Sequence, residues 1–127
     1  MRQRVGQFHY PVKIGDASGE HFEEMLPLVD TAALYSRFKA SFLEGLGHRA
    51  DAMRRFRLGD ETVIDRPIGS VPIQINEETH PTICIFGEEG SIELLGAVTL
   101  EEFGLAPYPV NETLVPVIGF LAAAVPV

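Results

Sequence analysis

Glycine and proline interrupt this chain about every ten residues, and no other feature constrains the fold as strongly. The chain has 12 glycines and 9 prolines in 127 residues, with no low-complexity linker and no internal repeat. Short apolar segments bounded by turn residues at this spacing are typical of all-β proteins. We therefore predict an all-β fold of about seven strands with one or two short helices.

Length and charge limit the classes of function. With 46% apolar residues, residues 1–127 fit one domain, which could hide about two thirds of its unfolded surface. The net charge of -8 argues against a nucleic-acid partner, because such domains normally carry a basic excess. The only basic run, Arg54–Arg57, is predicted to be a strand with a solvated face. The single cysteine, Cys84, lies among β-branched and aromatic residues, which indicates a core thiol.

The two ends of the sequence bear on location and assembly. The first residues contain arginines but no apolar core, unlike a signal peptide, so a cytoplasmic protein is expected. Residues 114–127 are very apolar, yet they contain Pro116 and Pro126 and reach about half the length of a membrane span. We therefore expect no membrane partner. Such a tail must be buried in its own core or against another copy of the chain.

Three hairpins are predicted from the turn residues. The first joins residues 8–15 to residues 22–29 through a turn-rich segment. The second projects and turns at Gly59-Asp60, because glycine supplies the positive φ of a two-residue turn. The third joins residues 68–75 to residues 81–86 through a polar segment. Further on, a short strand ends at Gly96, and Thr99 and Glu102 have the spacing of a capped helical turn that stops at Gly104.

The segment after Asp30 allows two interpretations. As one helix over residues 31–46, it would have Asp30 as its N-cap and Gly47 as its stop. As two elements, a short strand would follow Asp30, and a helical turn would begin near Ser41 with a capping box to Glu44. In the first interpretation Asp30 is only a cap. In the second it stands at the end of a strand, free for chemistry.

A carboxylate directly after an apolar run needs compensation for its lost hydration. One compensation is the N-cap role, and the other is a second carboxylate that shares one proton with it. Two like charges ~4 Å apart repel by ~4 kcal/mol at an effective dielectric of ~20, which is about three pKa units. A half-ionised pair suits hydrolysis, because the carboxylate takes a proton from water while the acid polarises a carbonyl. No metal or cofactor is needed, and the four histidines are too scattered for a zinc site.

Three motifs in order resemble the retropepsin-like aspartic proteases. "LVDTAA" (residues 28–33) is similar to the family's catalytic motif, with Ala32 where the family usually has glycine. "ELLGAVTLEEFGL" (residues 93–105) is similar to its second signature, and "MRRFRLGDETVI" (residues 53–64) lies where the family has a flap hairpin. The chain has one aspartate motif, so the resemblance implies a symmetric homodimer with Asp30 of both copies at one site.

The resemblance implies that the strands form a closed or partly open acid-protease barrel, and it also implies roles for individual residues. Asp30, Thr31 and Ala32 would form the catalytic motif, with Thr31 linking the two copies by hydrogen bonds. The residues that would contact an extended peptide are Ala33, Leu34, Leu58, Gly59, Asp60, Glu61, Leu94, Leu95 and Gly96. The apolar tail would form dimer interface.

Three functions are compatible with the sequence. The first is an aspartic endopeptidase that hydrolyses peptide bonds with water activated by paired Asp30 carboxylates. The alternative is a catalytically inactive relative that serves as a dimerisation or peptide-binding module. A third, a monomeric α+β domain with Asp30 as an N-cap, requires residues 31–46 to form one helix.

Overall fold

Eleven strands and two short helices account for the regular structure of residues 7–119, the part of the chain that the computed structural model describes. The strands are β1 (Phe8–His9), β2 (Val12–Gly15), β3 (Phe22–Met25), β4 (Leu28–Val29), β5 (Ser36–Lys39), β6 (Ala52–Arg57), β7 (Val63–Ile75), β8 (Glu78–Gly87), β9 (Leu94–Leu95), β10 (Leu105–Tyr108) and β11 (Thr113–Pro116). The helices are α1 (Ala40–Gly45) and α2 (Ala97–Glu102). The predicted all-β class is confirmed. Strands outnumber the predicted seven partly because breaks at Tyr10-Pro11 and Leu26-Pro27 divide the first hairpin into four.

Nine of the strands form one partly open sheet. Eight of them follow the order β1-β4-β9-β5-β8-β7-β2-β3, and β6 pairs with β7 beside this path. β4 runs parallel to β9, and β5 runs parallel to β8. β10 and β11 form a separate antiparallel pair. This topology places the strand before Asp30 directly beside the "LLG" strand, although Glu93, at the start of the second motif, lies 63 positions after Asp30.

The core follows the two-residue period of the long strands. β7 buries Val71, Ile73 and Ile75, and β8 buries Cys84 and Phe86. The prediction that Cys84 is a core thiol is confirmed, since it is fully buried and its burial raises its pKa. The predicted strand with a solvated face is also confirmed, because β6 exposes every residue except Phe56.

The segment after Asp30 follows the two-element interpretation. β5 pairs with β8 and buries Ser36 and Phe38, and α1 begins only at Ala40. Because residues 31–46 do not form one helix, the hypothesis of an α+β domain with Asp30 as an N-cap is wrong. The predicted capping box at Ser41 is also wrong, since the Ser41 hydroxyl instead donates to Glu89 at 2.5 Å. Gly47 does follow the helix end with a positive φ of 90°.

Two hairpin turns differ from their predictions. In the β6–β7 hairpin, the pairing of Arg57 with Val63 leaves five connecting residues, and the left-handed residue is Glu61 (φ 72°) instead of Gly59. In the β7–β8 hairpin, Asn76 and Glu77 both have positive φ and form a two-residue turn. The turn of the β2–β3 hairpin is confirmed, with the Asp16 carboxylate accepting hydrogen bonds inside it.

The apolar tail is only partly described. β11 pairs with β10 of the same chain and buries Leu114 in the core. Beyond it, Val117 and Ile118 are exposed. Residues 120–127, which complete the predicted interface segment, lie outside the described residues. Among residues 7–119, no helix combines the length and apolar character needed to cross a membrane.

Candidate active site

Asp30 lies immediately after β4, and backbone hydrogen bonds hold it in place. Its N–H donates to the Leu95 carbonyl at 3.0 Å, which extends the parallel pairing of β4 with β9. Its side-chain oxygen accepts the Ala32 N–H at 3.0 Å, closing an Asx turn. Asp30 is therefore a partly buried carboxylate at a strand end, not the N-cap of a following helix.

The loop after Asp30 is fastened to the start of α2. Ala97 N–H donates to the Ala33 carbonyl at 2.8 Å, and Val98 N–H donates to the Leu34 carbonyl at 3.0 Å. The first N–H groups of a helix have no partner within it, so the loop supplies acceptors that α2 needs. Ala32 has no positive φ. Alanine therefore carries no left-handed strain where the retropepsin-like motif has glycine.

A chain of buried hydroxyls lies behind this loop. Gly96 N–H donates to the Ser36 hydroxyl at 3.0 Å, Ser36 contacts Thr99 at 2.6 Å, and Thr99 contacts Thr82 at 3.0 Å. Thr82 donates to the Glu102 carboxylate at 2.6 Å. Because each hydroxyl has one proton, the chain runs in one direction from Gly96 to Glu102. The predicted capping role of Thr99 is wrong, since its side chain is buried inside this network.

We expect Thr99→Val to destabilise the protein by about 1–3 kcal/mol. Valine keeps the shape but leaves the Ser36 hydroxyl without an acceptor and Thr82 without a donor. Chemical denaturation measures the change in the free energy of unfolding. The matched control is Thr79→Val at an exposed strand position, expected to change stability by less than about 0.5 kcal/mol. Equal effects of the two substitutions would contradict the role of the network.

A cleft of about 440 Å³ lies beside the Asp30 loop. The loop contributes Ala33, Leu34 and Tyr35, and the β6–β7 hairpin borders the cleft with Phe56 and Leu58. Tyr35 also joins the two parts, because its ring packs edge-on against Phe56 with centroids 6.0 Å apart. The remaining lining residues are Arg37, Ile64, Arg66, Ile85, Gly87, Glu88, Ser91 and Leu94.

The structure distributes the residues expected at the site among three places. Ala33, Leu34, Leu58 and Leu94 line the cleft. Asp30, Thr31 and Ala32 lie next to it, and Gly59, Asp60 and Glu61 form the exposed hairpin tip beyond Leu58. Leu95 is fully buried in the core, and Gly96 is buried against Tyr35, so neither lines the cleft.

Most of the polar lining was not anticipated from the sequence. Within the hairpin, Phe56 pairs with Ile64, and Arg54 pairs with Arg66, which places these four residues on one face. The sequence signal for this face was the pair of apolar residues Phe56 and Leu58, two positions apart in an otherwise polar segment. By contrast, nothing local marks Arg37, Glu88 and Ser91 as neighbours of this hairpin, because β5, β7 and the segment after β8 meet only in the folded sheet.

The charged groups of the cleft interact with one another. Arg66 forms an ion pair with Glu88 at 2.8 Å. Partial burial and the like charge of Arg66 lower the pKa of Arg37, whereas the nearby Asp30 carboxylate opposes that shift. Arg54 stacks over the Tyr35 ring and donates to its hydroxyl at 2.5 Å. The cleft thus combines apolar walls with the guanidinium groups of Arg37 and Arg66, and Arg37 is the one that interacts with Asp30.

No protein-family model matches the sequence, and a search of curated proteins finds no significant relative. Within residues 7–119, no group of three or more histidine, cysteine, aspartate or glutamate side chains is placed to hold a metal ion.

Proposed function

We propose that this protein is an aspartic endopeptidase, active as a homodimer. The observation that carries the proposal is the placement of Asp30 at the end of β4, fixed to Leu95 and adjacent to a cleft bordered by a hairpin. One chain supplies one such aspartate. The second carboxylate would come from Asp30 of another copy across a two-fold axis.

The proposed reaction needs only the two carboxylates and water. The ionised Asp30 takes a proton from water as the oxygen attacks the peptide carbonyl carbon, and the protonated Asp30 donates its proton to the carbonyl oxygen. The Asp30 that took the proton from water then donates it to the amide nitrogen, and the C–N bond breaks. A hydroxyl of the tetrahedral intermediate gives its proton to the other Asp30, which releases the amine and the carboxylic acid and restores the half-ionised pair. Thr31, which is exposed in the protomer, would bond to its counterpart across the axis.

Exposed apolar residues supply candidate surface for the dimer. Leu26 and Ile118 are 59% and 101% exposed, so burial against another copy would remove them from water. In the sequence the apolar tail continues beyond Ile118. The cytoplasmic location expected from the sequence stays a prediction. A chain truncated after Pro116 is expected to dimerise more weakly.

The peptide would bind in extended form along the cleft. Among the described residues β6 pairs only with β7, so its other edge is open to an added strand. Backbone hydrogen bonds at such an edge give affinity without reading sequence. Alternate side chains would then enter the cleft, where Leu34, Leu58 and Leu94 favour apolar groups.

A peptide-binding module without catalysis is the second candidate. The cleft and the edge of β6 that pairs with no other described strand favour it, because both can hold an extended peptide without any reaction at Asp30. A module would keep the dimer and the cleft but leave peptides intact.

Digestion of a peptide library between about pH 4 and pH 7 separates the two candidates, because shared-proton carboxylates are expected to work in acid. Mass spectrometry would identify cleaved bonds, and analytical ultracentrifugation would confirm the dimer. The endopeptidase proposal predicts cleavage by the wild type and none by Asp30→Asn. A dimer that binds peptides without cutting any of them would support the module.

A further inference from the structure

Two arginines line the mostly apolar cleft, and among residues 7–119 only one of them has a carboxylate as an ion-pair partner. Arg66 pairs with Glu88 at 2.8 Å. Arg37 donates through Nε to the Ile92 carbonyl at 2.8 Å, but within residues 7–119 no carboxylate lies at ion-pair distance from it. The Nε contact thus fixes the orientation of the Arg37 guanidinium. The N–H groups on its two terminal nitrogens can still donate hydrogen bonds to a ligand.

The surroundings of Arg37 make this charge costly. It is partly buried, the like charge of Arg66 acts on it, and the cleft walls beside it are Leu94, Ile85 and Ile64. An arginine in a protein does not lose its proton, so it cannot relieve the cost by becoming neutral. Asp30 attracts it, yet in the proposed mechanism that carboxylate is engaged with its counterpart. A bound anion would form the ion pair that Arg37 lacks.

The backbone is shaped to hold Arg37 in this position. A β-carbon added at Gly87 would lie 3.0 Å from Cγ and 3.1 Å from Cδ of Arg37. It would also lie 2.7 Å from the Ser91 hydroxyl oxygen. Gly87 has no positive φ, so the backbone conformation does not require glycine there. Glycine is needed because a side chain would collide with Arg37 and Ser91. The aliphatic part of Arg37 therefore crosses Gly87, which keeps the guanidinium over the cleft.

We propose that Arg37, with Arg66 beside it, forms a subsite for a carboxylate of the bound peptide, so that this protein selects peptides that place a carboxylate there. The inference rests on the proposed function for its peptide ligand. A planar guanidinium binds a carboxylate with two parallel hydrogen bonds, which an amide of the same shape cannot match. The carboxylate comes either from an aspartate or glutamate side chain or from the free C-terminus of the peptide.

Binding to the Asp30→Asn protein tests the subsite independently of catalysis. The probes are fluorescent eight-residue peptides, amidated at the C-terminus, with one glutamate placed at each position in turn. A matched series carries glutamine instead, and a third series has glutamine with a free C-terminal carboxylate. Fluorescence anisotropy gives the Kd of each peptide. Comparison of series on one protein cancels the effect of the Asp30→Asn exchange.

The subsite predicts that glutamate at one position, or the free C-terminus, binds about tenfold to a hundredfold more tightly than its neutral counterpart. Arg37→Gln should remove that preference, and Gly87→Ala should weaken it by displacing Arg37. Arg55→Gln is the matched control, since Arg55 lies on the other face of the hairpin and pairs with Asp65. It should leave the preference unchanged.

Three results would overturn the proposal. Equal affinity for the glutamate, glutamine and free C-terminus series would remove the carboxylate subsite, and a preference that survives Arg37→Gln would remove Arg37 from it. Failure of every peptide to bind would exclude a peptide as the occupant. Failure of the endopeptidase proposal is distinct, because it would appear as intact peptides in the wild-type digest while the binding preference persists.

Discussion

Replacement of Asp30 by asparagine is expected to lower the rate of peptide cleavage by at least about 10²–10⁴-fold, the usual contribution of a general acid or base. Asparagine keeps the size of the side chain and an oxygen that can accept the Ala32 N–H, so the Asx turn should persist. It can neither take a proton from water nor share one with its counterpart. Both carboxylates change together in a homodimer, so no intact copy would remain.

Initial rates on a cleavable peptide would measure this loss, with circular dichroism and sedimentation to show an unchanged fold and dimer. Asp51→Asn is the matched control, because Asp51 is exposed and uses only its backbone N–H in a hydrogen bond to Ile68. It should cleave at the wild-type rate. Retention of most of the cleavage in Asp30→Asn would place the reaction elsewhere.

Gly96→Ala is expected to destabilise the fold by at least about 2 kcal/mol, in the upper part of the range for overpacked cores. A β-carbon there would lie 2.6 Å from the Tyr35 carbonyl carbon, 2.7 Å from the Tyr35 oxygen and 3.0 Å from the Ala33 oxygen. These are backbone atoms, so no side-chain rotation relieves the contact. The Ala33 and Tyr35 backbone must move, and Asp30 is bonded to the same loop.

The matched control for this prediction is Gly45→Ala in α1, where an added β-carbon meets no atom within 4 Å. Because alanine is the better helix former, that substitution should stabilise the protein by about 0.5–1 kcal/mol. Thermal and urea unfolding would measure both variants. Equal stability of Gly96→Ala and the wild type would show that the loop and β9 are packed less tightly than described.

The predictable part of this fold was the part encoded in local patterns. The apolar residues 68–75, bounded by turn residues, predicted the second part of β7, and Gly47 and Gly104 marked helix ends, each with a positive φ. The segment after Asp30 carried both a helical spacing and a strand pattern. Pairing with β8, which no local signal shows, selected the strand.

The candidate site was predictable as a motif but not as a cleft. Asp30 followed an apolar run, and its position at a strand end was one of two interpretations that the sequence left open. The position of Arg37 depends on its contacts with Ile92 and Gly87. These residues approach it only because β5 pairs with β8 and β9. For Thr99 a local pattern gave a wrong prediction. Its spacing to Glu102 is that of a capping box, but its hydroxyl instead bonds to Ser36 and Thr82 in the buried network.

The most direct test of the paired-aspartate account is subunit mixing. Wild-type and Asp30→Asn chains would be unfolded together in equal amounts and refolded. Peptide cleavage would then be measured per total chain, wild type plus variant, relative to the wild type alone. If catalysis needs Asp30 from both copies, only dimers of two wild-type chains cleave, and activity falls to about one quarter. Activity of about one half, the value for chains that act independently, would contradict the account, as would a wild-type dimer that cleaves no peptide.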